Sequence, residues 1–341
     1  MPEFFELPRE DQREALLVAV ERSGRPLHLL EKDVWVVWTL RHLFSGRHAQ
    51  HLVFKGGTSL SKAYGVIRRF SEDVDLTYDI RAIAPDLIGK AESPWPTSRS
   101  QEKKWSKAIR RRLADLVGSE IAPDLAAALA ARGLPAKARA QGDQVFIDYE
   151  TFGQGTGYVQ PSVLLEFGAR STGEPNEPRP VLCDAASHLQ ELGFPKATPQ
   201  VMRPERTFWE KATAIHVFCA RGSFRGGARF ARHWHDVTRL DAAGFADSAA
   251  ADPELAQAVA AHKGIFFAES TPEGEPIDYC SAVTGALRLA PSGEARKVLA
   301  EDYARMVEDG LLLDEAESFD VLLERCQALA EKVNAMVRAS R

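Results

Sequence analysis

The sequence predicts an α+β protein in which a mixed sheet with flanking helices, over residues 1–200, precedes a helical domain over residues 201–341. Three observations support this fold class. Strand-like and helix-like patterns alternate along the first part, as in a sheet covered by helices. The strand signal fades near residue 200, and only helical periods follow. The composition, with 45% hydrophobic and 27% charged residues among 341, is typical of a globular protein with room for two domains.

Residues up to 80 alternate two helices, a strand, a helix and a second strand. The segment HLVF is typical of a short buried strand that stops at Gly56-Gly57. Serine favours the start of a helix, and DVDLTYDI has the period-two pattern of a strand with one solvated face. The predicted elements are helices over 9–23 and 30–44, a strand over 51–54, a helix from Ser59, and a strand over 73–80.

The middle of the chain predicts two helices, over 101–117 and 119–132, and then two strands. These strands, 144–152 and 162–169, flank the glycine-rich residues 153–157 and are expected to form an antiparallel pair. Residues 171–180 have the composition of a surface loop. Helical periods account for the remainder of the chain, with predicted helices over 204–220, 231–240, 253–262, 295–307 and 319–339.

Charge, hydropathy and cysteine content exclude several classes of protein. The net charge of -5 argues against a basic coat for nucleic acid, so any contact with phosphates must be local. No apolar stretch approaches the ~20 residues needed to span a bilayer, and the acidic N-terminus does not resemble a signal peptide. The four cysteines form no CxxC pair, which argues against a disulfide framework or a structural zinc site. A cytoplasmic protein without membrane contact is expected.

The segment FKGGTSLSKAYGVIRRFSEDVDL, residues 54–76, combines the features of a phosphate and metal site. Gly56 and Gly57 permit backbone amides to approach a phosphate closely, and a helix start adds free N–H groups. Thr58 and Ser59 can donate hydrogen bonds to the same oxygens. Two glycines alone usually form a turn, so the acidic residues further along the segment are needed to indicate a site.

Asp73 and Asp75 stand two apart on the next strand and therefore project from one face, where paired carboxylates attract a divalent cation. Alone, such a pair is usually a solvated strand face. The order of glycines, hydroxyls and acids at one end of a sheet favours a nucleoside-triphosphate site with magnesium. The P-loop, dinucleotide-binding and serine-hydrolase motifs are absent from the sequence.

These motifs resemble the AbiEii/AbiGii family of toxin nucleotidyltransferases, which belongs to the DNA polymerase β-like superfamily. The resemblance is carried by Glu31-Lys32-Asp33-x-Trp35, by FKGGTSLSKAY and by RFSEDVDL, and later by VLLEFGARSTGEP, PERTFWEKATAIH and RHWHDVTRL. It covers most of residues 28–240 and fades in the C-terminal hundred. The implied fold is the polymerase β-like nucleotidyltransferase sheet, with a helical domain over residues 201–341 that completes the active site and is a candidate to hold the acceptor.

The resemblance implies an enzyme that binds an NTP and Mg²⁺, with Mn²⁺ as the alternative ion. Characterised relatives add nucleotides to the 3′ acceptor end of tRNA and so block aminoacylation and growth. Relatives usually act as the toxin of a toxin–antitoxin pair, and some serve in phage defence. A cognate antitoxin protein is therefore an expected partner, besides RNA and the NTP.

Individual residues can be carried over from the family motifs. Lys62 matches the phosphate-binding motif together with Gly56, Gly57 and Ser59, and the pair Asp73 and Asp75 matches the metal-binding motif. Lys211 matches a helix-borne lysine, suited to the leaving pyrophosphate, and Asp236 a late aspartate that orients Lys211 or the nucleoside. The plain alternative is that both are solvated charges on amphipathic helices. His235 replaces a lysine often found before that aspartate, which substitutes a titratable group for a permanent charge.

Three further residues are candidates near the acids. Polymerase β-like enzymes often place a third carboxylate on a later strand, and Glu166 occupies such a strand. It is either a base for the attacking hydroxyl or part of a structural salt bridge. Arg69 and Ser71, just before the acidic pair, are candidates to contact the triphosphate.

Two basic segments are candidates for the RNA. Residues 103–112, KKWSKAIRRR, place cations along helix faces with Trp105 available to stack on a base. The segment 220–233 lies close in sequence to Lys211 and Asp236, which makes it the better candidate. Its arginines are Arg221, Arg225, Arg229 and Arg232.

The predicted function is thus transfer of NMP from an NTP to an RNA 3′ end, with inhibition of translation and growth. Two alternatives stay open: nucleotidylation of a protein or small molecule, and a GTP-binding regulatory module that never transfers. The retention of both Asp73 and Asp75 favours activity.

Overall fold

The computed structural model describes residues 1–69, 73–88, 95–153, 160–222, 230–308, 310, 312 and 316–339. The chain divides into two compact units. The first comprises Met1–Ala63, Glu72–Ala91 and Lys107–Val201, and the second Tyr64–Ser71, Glu92–Ser106 and Met202–Arg341. The main division along the chain thus falls after residue 201, and two short segments that the sequence assigned to the first domain group with the second unit.

The first unit is built on a mixed seven-stranded sheet with the order β3-β4-β5-β2-β1-β9-β6. The strands are β1 (Leu52–Lys55), β2 (Asp73–Tyr78), β3 (Ala136–Gln141), β4 (Gln144–Tyr149), β5 (Ser162–Gly168), β6 (Asn176–Pro178) and β9 (Gln200–Met202). A separate two-stranded sheet pairs β7 (Val181–Leu182) with β8 (Lys196–Ala197). The mixed sheet confirms the predicted fold class.

In the described part of the chain before residue 140, five of the seven α-helices overlap predicted helices, and two short ones were not predicted. The seven are α1 (Arg9–Ser23), α2 (Leu27–Ser45), α3 (Gly56–Lys62), α4 (Ile80–Ile83), α5 (Pro85–Ile88), α6 (Arg99–Leu116) and α7 (Ala122–Ala131). The five-residue π-helix Val117–Ile121 joins α6 to α7. The chain also forms 3₁₀ helices at Phe4–Glu6, Ala49–His51 and Asp184–Ser187.

One face of the sheet is apolar and forms the core of the first unit. Along β2 and β5 the alternate residues Val74, Leu76, Val163 and Leu165 are fully buried. Helix α2 contacts β5 on this side, where the ring of Trp35 stacks on Tyr149 with centroids 5.4 Å apart. The opposite face carries the residues between these positions, Asp75 and Leu164, which are half-buried. The period-two pattern of a strand thus separates a dry face from a wet one.

Several local features differ from the sequence prediction. Residues 171–180, expected to form a surface loop, contain strand β6 (Asn176–Pro178) at one edge of the mixed sheet. The short helices α4 and α5 and the short strands β7, β8 and β9 were not predicted. Helix α3 begins at Gly56, three residues before the expected start, so the glycines are its first residues. Strand β3 was not predicted at all, because its sequence AKARAQ is poor in the β-branched and aromatic residues that mark a strand. It pairs with β4 as an antiparallel hairpin that forms the edge of the sheet.

The second unit is helical in the part of the chain after residue 203 that the structure describes. Its helices are α8 (Pro204–Arg221), α9 (Arg232–Ala242), α10 (Phe245–Ala250), α11 (Pro253–Phe266), α12 (Tyr279–Ala282), α13 (Gly293–Glu308) and α14 (Phe319–Ala339). Its core contains Trp209 and Trp234, both fully buried. Their indole N–H groups donate to the carbonyls of Ala249 at 2.9 Å and Leu289 at 2.7 Å. Both indole N–H groups therefore have a hydrogen-bond acceptor although the two rings are buried.

Within the described residues, none of the helices combines the length and the apolar composition required to cross a bilayer. The four cysteines are free thiols.

Candidate active site

The turn after β1 brings Gly56 into direct contact with the second acid of the pair. Gly56 has a φ of +79°, a conformation that favours glycine. A Cβ atom built on Gly56 would lie 1.9 Å from Oδ2 of Asp75 and 2.9 Å from its Cβ. Glycine is therefore required here for two reasons, the backbone conformation and the space that the Asp75 side chain occupies.

Asp73 and Asp75 lie on the wet face of β2, because the buried Val74 and Leu76 alternate with them. Asp75 is the register partner of Lys55 on β1 and of Glu166 on β5. Glu166 in turn pairs with Gln144 of β4, and Gln144 with Gln141 of β3. Five polar residues thus cross five strands in one line, which we call the polar row: Lys55, Asp75, Glu166, Gln144 and Gln141.

Glu166, predicted as a third carboxylate, lies beside Asp75 in the polar row. It is half-buried, and Nε2 of Gln144 donates to its Oε1 at 2.8 Å. This hydrogen bond fixes one carboxylate oxygen on the face that carries the acids. The catalytic role of Glu166 stays a prediction, and Lys55 and Gln144 are neighbours that the sequence prediction missed. Their positions in the period-two pattern of their strands were the available signal.

Thr58 and Ser59 were expected to donate to phosphate oxygens, and the structure directs their hydroxyls to backbone carbonyls. The Thr58 hydroxyl donates to the carbonyl of Asp73, and that of Ser59 donates to the carbonyl of Gly56 at 3.0 Å. Both side chains are buried. These two bonds hold the turn and the start of β2 together, and a contact with phosphate stays a prediction.

Lys62 was also expected to contact phosphate, but in the structure it pairs with two carboxylates. Its Nζ lies 2.6 Å from Oδ1 of Asp33 and 2.6 Å from Oδ1 of Asp184. Burial raises the pKa of Asp33, although the Lys62 ammonium acts in the opposite direction. Lys62 thus ties α3 to α2 and to the 3₁₀ helix Asp184–Ser187. Neither the sequence pattern nor the family resemblance pointed to this ion pair.

The neighbouring Glu31 has a similar structural role in the first unit. Its carboxylate accepts hydrogen bonds from the backbone N–H of Phe152, at 3.1 Å, and from the Thr151 hydroxyl, at 2.9 Å. Burial raises the pKa of Glu31 despite these bonds. The motif Glu31-Lys32-Asp33 therefore supplies at least two buried carboxylates that connect α2 to other segments.

In the second unit, Asp236 is fully buried among positive charges. Arg69 donates two hydrogen bonds to its carboxylate, from Nε to Oδ1 and from a terminal nitrogen to Oδ2, each 2.8 Å long. Nζ of Lys211 lies 2.9 Å from Oδ2 of Asp236. Burial alone would raise the pKa of Asp236, but the charges of Arg69 and Lys211 outweigh it and hold the pKa well below the ordinary value. Asp236 is therefore ionised at neutral pH.

Two histidines complete this charged cluster. Nδ1 of His235 lies 3.3 Å from Oδ1 of Asp236, and Nε of Arg239 donates to Nε2 of His235 at 3.5 Å. Nδ1 of His233 lies 3.4 Å from Nζ of Lys211. Burial, with the nearby Lys211 charge, lowers the pKa of His233 well below its ordinary value, so His233 is a neutral acceptor for Lys211.

A match to a protein-family model shows the family to which the chain belongs. The model of nucleotidyl transferase AbiEii toxins of type IV toxin–antitoxin systems matches residues 38–325. The chain belongs to the AbiEii nucleotidyltransferase toxin family. The family match reaches residue 325, well beyond residue 240, where the motifs end.

Among solved structures, the AbiEii chain is similar to MenT4, a nucleotidyltransferase toxin from Mycobacterium tuberculosis H37Rv. The TM-score is 0.45 and the sequence identity 18%, over 95% of this chain and 89% of that chain. No curated protein gives a significant match.

The residues predicted for the AbiEii site fall into two sets. The first unit holds the glycine turn at the end of β1, the two acids in the first half of β2 and Glu166 beside Asp75 on β5, with Lys62 at the far end of α3. The second unit joins Lys211, Asp236 and Arg69. Arg69, predicted as a phosphate contact, is the bidentate partner of Asp236. No sequence signal linked these two residues, which stand 167 positions apart.

The predicted RNA contacts of this AbiEii protein have mixed outcomes. Arg221 is largely buried and pairs with Glu269 at 3.1 Å, so it is not the exposed cation that we expected. Trp105, expected to stack on a base, is buried in the protein. Arg232 is half-buried at the start of α9. Ser71, Arg225 and Arg229 lie outside the described residues.

Proposed function

We propose that the protein transfers a nucleoside monophosphate from an NTP to the 3′ end of an RNA, with tRNA as the acceptor class. The observation that carries the proposal is the contact of the glycine turn with Asp75, beside Asp73 and Glu166 on one sheet face. In the reaction the RNA 3′ oxygen forms a bond to the α-phosphorus. The bond from this phosphorus to the bridging oxygen breaks, and pyrophosphate leaves with its electron pair.

The donor set fits a divalent cation, Mg²⁺ or Mn²⁺. Within the described residues, no group of three or more His, Cys, Asp or Glu side chains is arranged to hold a metal. Mg²⁺ does not need such a cage, since proteins commonly bind it through one or two carboxylates together with substrate phosphates and water. Asp73 and Asp75 would hold the ion, which would neutralise charge on the reacting phosphate and lower the pKa of the attacking hydroxyl.

The protein groups of the first unit have separable roles in this scheme. Gly56 and Gly57 let phosphate oxygens approach the backbone closely. Glu166 accepts the proton of the 3′ hydroxyl, and the hydrogen bond from Gln144 orients its carboxylate. Lys211 at the leaving pyrophosphate, with Asp236 to orient it, remains a proposal that rests on the family resemblance.

Membership of a toxin family supports RNA as the acceptor and a cognate antitoxin as the partner. The same chemistry would serve nucleotidylation of a protein or small molecule, since the motif does not define the acceptor. A nucleotide-binding module without transfer activity would have no need of both Asp73 and Asp75, and this sequence has both.

The first test offers total tRNA, Mg²⁺ and each of the four α-³²P-labelled NTPs to the purified protein. We expect label on tRNA with the wild type and none with Asp75→Asn, which keeps the shape of the side chain but removes the charge. Asp11→Asn, an exposed carboxylate on α1, is the matched control and should retain full activity. Label on protein, or no label at all, would contradict the proposal and favour the alternatives.

A further inference from the structure

The wet face of the sheet continues beyond the acids to the β3–β4 hairpin. There it carries apolar and positively charged side chains. Next to the polar row, the register partners are Asp73, Leu164, Phe146 and Arg139, in that order across four strands. The following line contains Lys137 opposite Asp148. We call Leu164, Phe146, Arg139 and Lys137 the hairpin face.

The chemistry of the hairpin face suits a nucleic acid strand. Phe146 and Leu164 are half-buried and adjacent, and the Arg139 guanidinium lies 4.0 Å from the centre of the Phe146 ring. Aromatic rings and guanidinium planes are surfaces on which single-stranded bases stack. Lys137 and Arg139 are exposed and cationic, which suits phosphates.

Asp148 offsets part of this charge. Its Oδ2 lies 2.6 Å from Nε of Arg139, with both side chains about half exposed, so solvent screens the pair. Lys137, Arg139 and Asp148 together keep one net positive charge. This local excess contrasts with the net charge of -5 of the whole chain.

The in-line geometry of nucleotidyl transfer indicates the side of the acids from which the acceptor approaches. In a nucleotidyl transfer the attacking and leaving oxygens lie roughly in line on opposite sides of the phosphorus. Under the proposed function the phosphates lie at the Gly56–Gly57 turn, on the β1 side of β2. Strand β5 flanks β2 on the opposite side. The attacking hydroxyl must therefore arrive from the side of Glu166, Gln144 and the hairpin face.

From these observations we infer that the hairpin face binds the single-stranded 3′ end of the acceptor RNA. The terminal base stacks beside Leu164 on the Arg139 guanidinium, which lies over the Phe146 ring, and upstream phosphates contact Lys137. Strands lie about 4.8 Å apart, so β3 is roughly 14 Å from β2. This distance corresponds to about four stacked nucleotides at ~3.4 Å each. The inference rests on the proposed function and adds where the RNA binds.

The basic segments predicted from the sequence are weaker candidates for this role. Arg221 pairs with Glu269 and is largely buried. On α6, Trp105 is buried and Arg112 pairs with Asp86 at 2.5 Å. The hairpin face, by contrast, shares one sheet face with the acids.

The test measures RNA binding separately from catalysis. The probe is a 5′-fluorescein RNA hairpin with a four-nucleotide single-stranded 3′ end, titrated by anisotropy over a KCl series. For Lys137→Glu/Arg139→Glu we expect at least a tenfold loss of affinity and a salt slope smaller by about 1. Arg13→Glu/Arg41→Glu, two exposed arginines on α1 and α2, makes the same charge change and should bind normally.

A second variant isolates stacking from charge. Phe146→Leu keeps an apolar side chain but removes the ring, so we expect weaker RNA binding with an unchanged salt slope. Thermal shifts with Mg²⁺ and NTP should match the wild type for all these variants, because the inference places no NTP contact on the hairpin face.

The possible results separate the inference from the proposed function. If wild type and Lys137→Glu/Arg139→Glu bind and label RNA equally, the inference is wrong and RNA transfer stands. If the double variant aggregates, Phe146→Leu decides the inference, because RNA binding equal to that of the wild type would show that the ring is not part of the RNA site. If Arg110→Glu/Arg111→Glu on α6 alone weakens binding, the RNA lies elsewhere. If the wild type neither binds nor labels RNA, the proposed function fails as well.

Discussion

At the scale of single residues, the contact between Gly56 and Asp75 is the tightest constraint on the site. We expect Gly56→Ala to reduce transferase activity by about two orders of magnitude while the protein remains folded. The reason is that the new Cβ would occupy the position of the Asp75 carboxylate, 1.9 Å from Oδ2. The positive φ adds strain of about 1–2 kcal/mol. Labelling of tRNA and a thermal melt would measure the two effects.

Gly24→Ala provides the matched control for this prediction. Gly24 has a similar φ of +71° at the end of α1, and a Cβ there would meet no atom within 4 Å. It therefore carries the backbone strain without displacing a carboxylate. Equal activity losses in the two variants would show that strain, and not the position of Asp75, is responsible.

His216 gives a second prediction at this scale, because its two ring nitrogens are occupied in the core of the second unit. Nδ1 accepts from the backbone N–H of Arg288 at 3.2 Å, and Nε2 lies 3.4 Å from the Ser281 hydroxyl. Burial, and then the Arg288 charge, lowers the pKa of His216 to about 4. The unfolded chain takes up the proton near pH 6.5, before the folded chain does.

The free energy of unfolding is therefore expected to fall as pH decreases from 6.5 to 4, with a contribution of up to about 3 kcal/mol from His216. Urea unfolding of the wild type, His216→Gln and the control His188→Gln across this range would measure it. The slope against pH should be shallower in His216→Gln only. An NMR titration of His216 with a midpoint near 6.5 would contradict the prediction.

At the scale of secondary-structure elements, the buried ion pair of Lys62 holds α3 in place. We expect Lys62→Met to lower the free energy of unfolding by about 3 kcal/mol, since it leaves the buried carboxylate of Asp33 without its nearest cation. The double variant Asp33→Asn/Lys62→Met removes both charges and should recover most of this loss. Urea unfolding measures both variants.

This experiment also distinguishes the two roles considered for Lys62. If Lys62 contacts phosphate, the double variant will be stable but will bind NTP poorly. If its role is to position α3, the double variant will recover NTP binding together with stability. The structure leads us to expect recovery of both.

Elements with a strong periodic pattern could be predicted from the sequence, and those held by distant contacts could not. Helices α1, α8 and α14 begin at or within one residue of the expected positions, because apolar spacing alone defines them. Strand β3 escaped prediction because its contacts with β4 and α7 hold it in the sheet without an apolar pattern of its own. The acids and glycines were found by motif, whereas the pairing of Arg69 with Asp236 depends on the tertiary fold.

At the scale of the whole molecule, the family membership and the proposed chemistry together predict growth inhibition. Expression of the wild-type chain in a bacterial host is expected to arrest growth, because RNA with blocked 3′ ends cannot be aminoacylated. Asp75→Asn should abolish this effect, and Asp11→Asn should not. Growth curves with immunoblots to match expression levels would measure the effect.

The same experiment separates transfer from mere binding of nucleotides. A chain that acts only by sequestering a nucleotide or a partner would still arrest growth after a substitution that blocks chemistry but leaves the fold intact. Asp75→Asn keeps the volume of the side chain beside Gly56, so the turn should persist. Persistent toxicity of Asp75→Asn, at wild-type expression and stability, would therefore argue for the non-transferring alternative. Loss of toxicity together with loss of label on tRNA would assign the effect to nucleotidyl transfer.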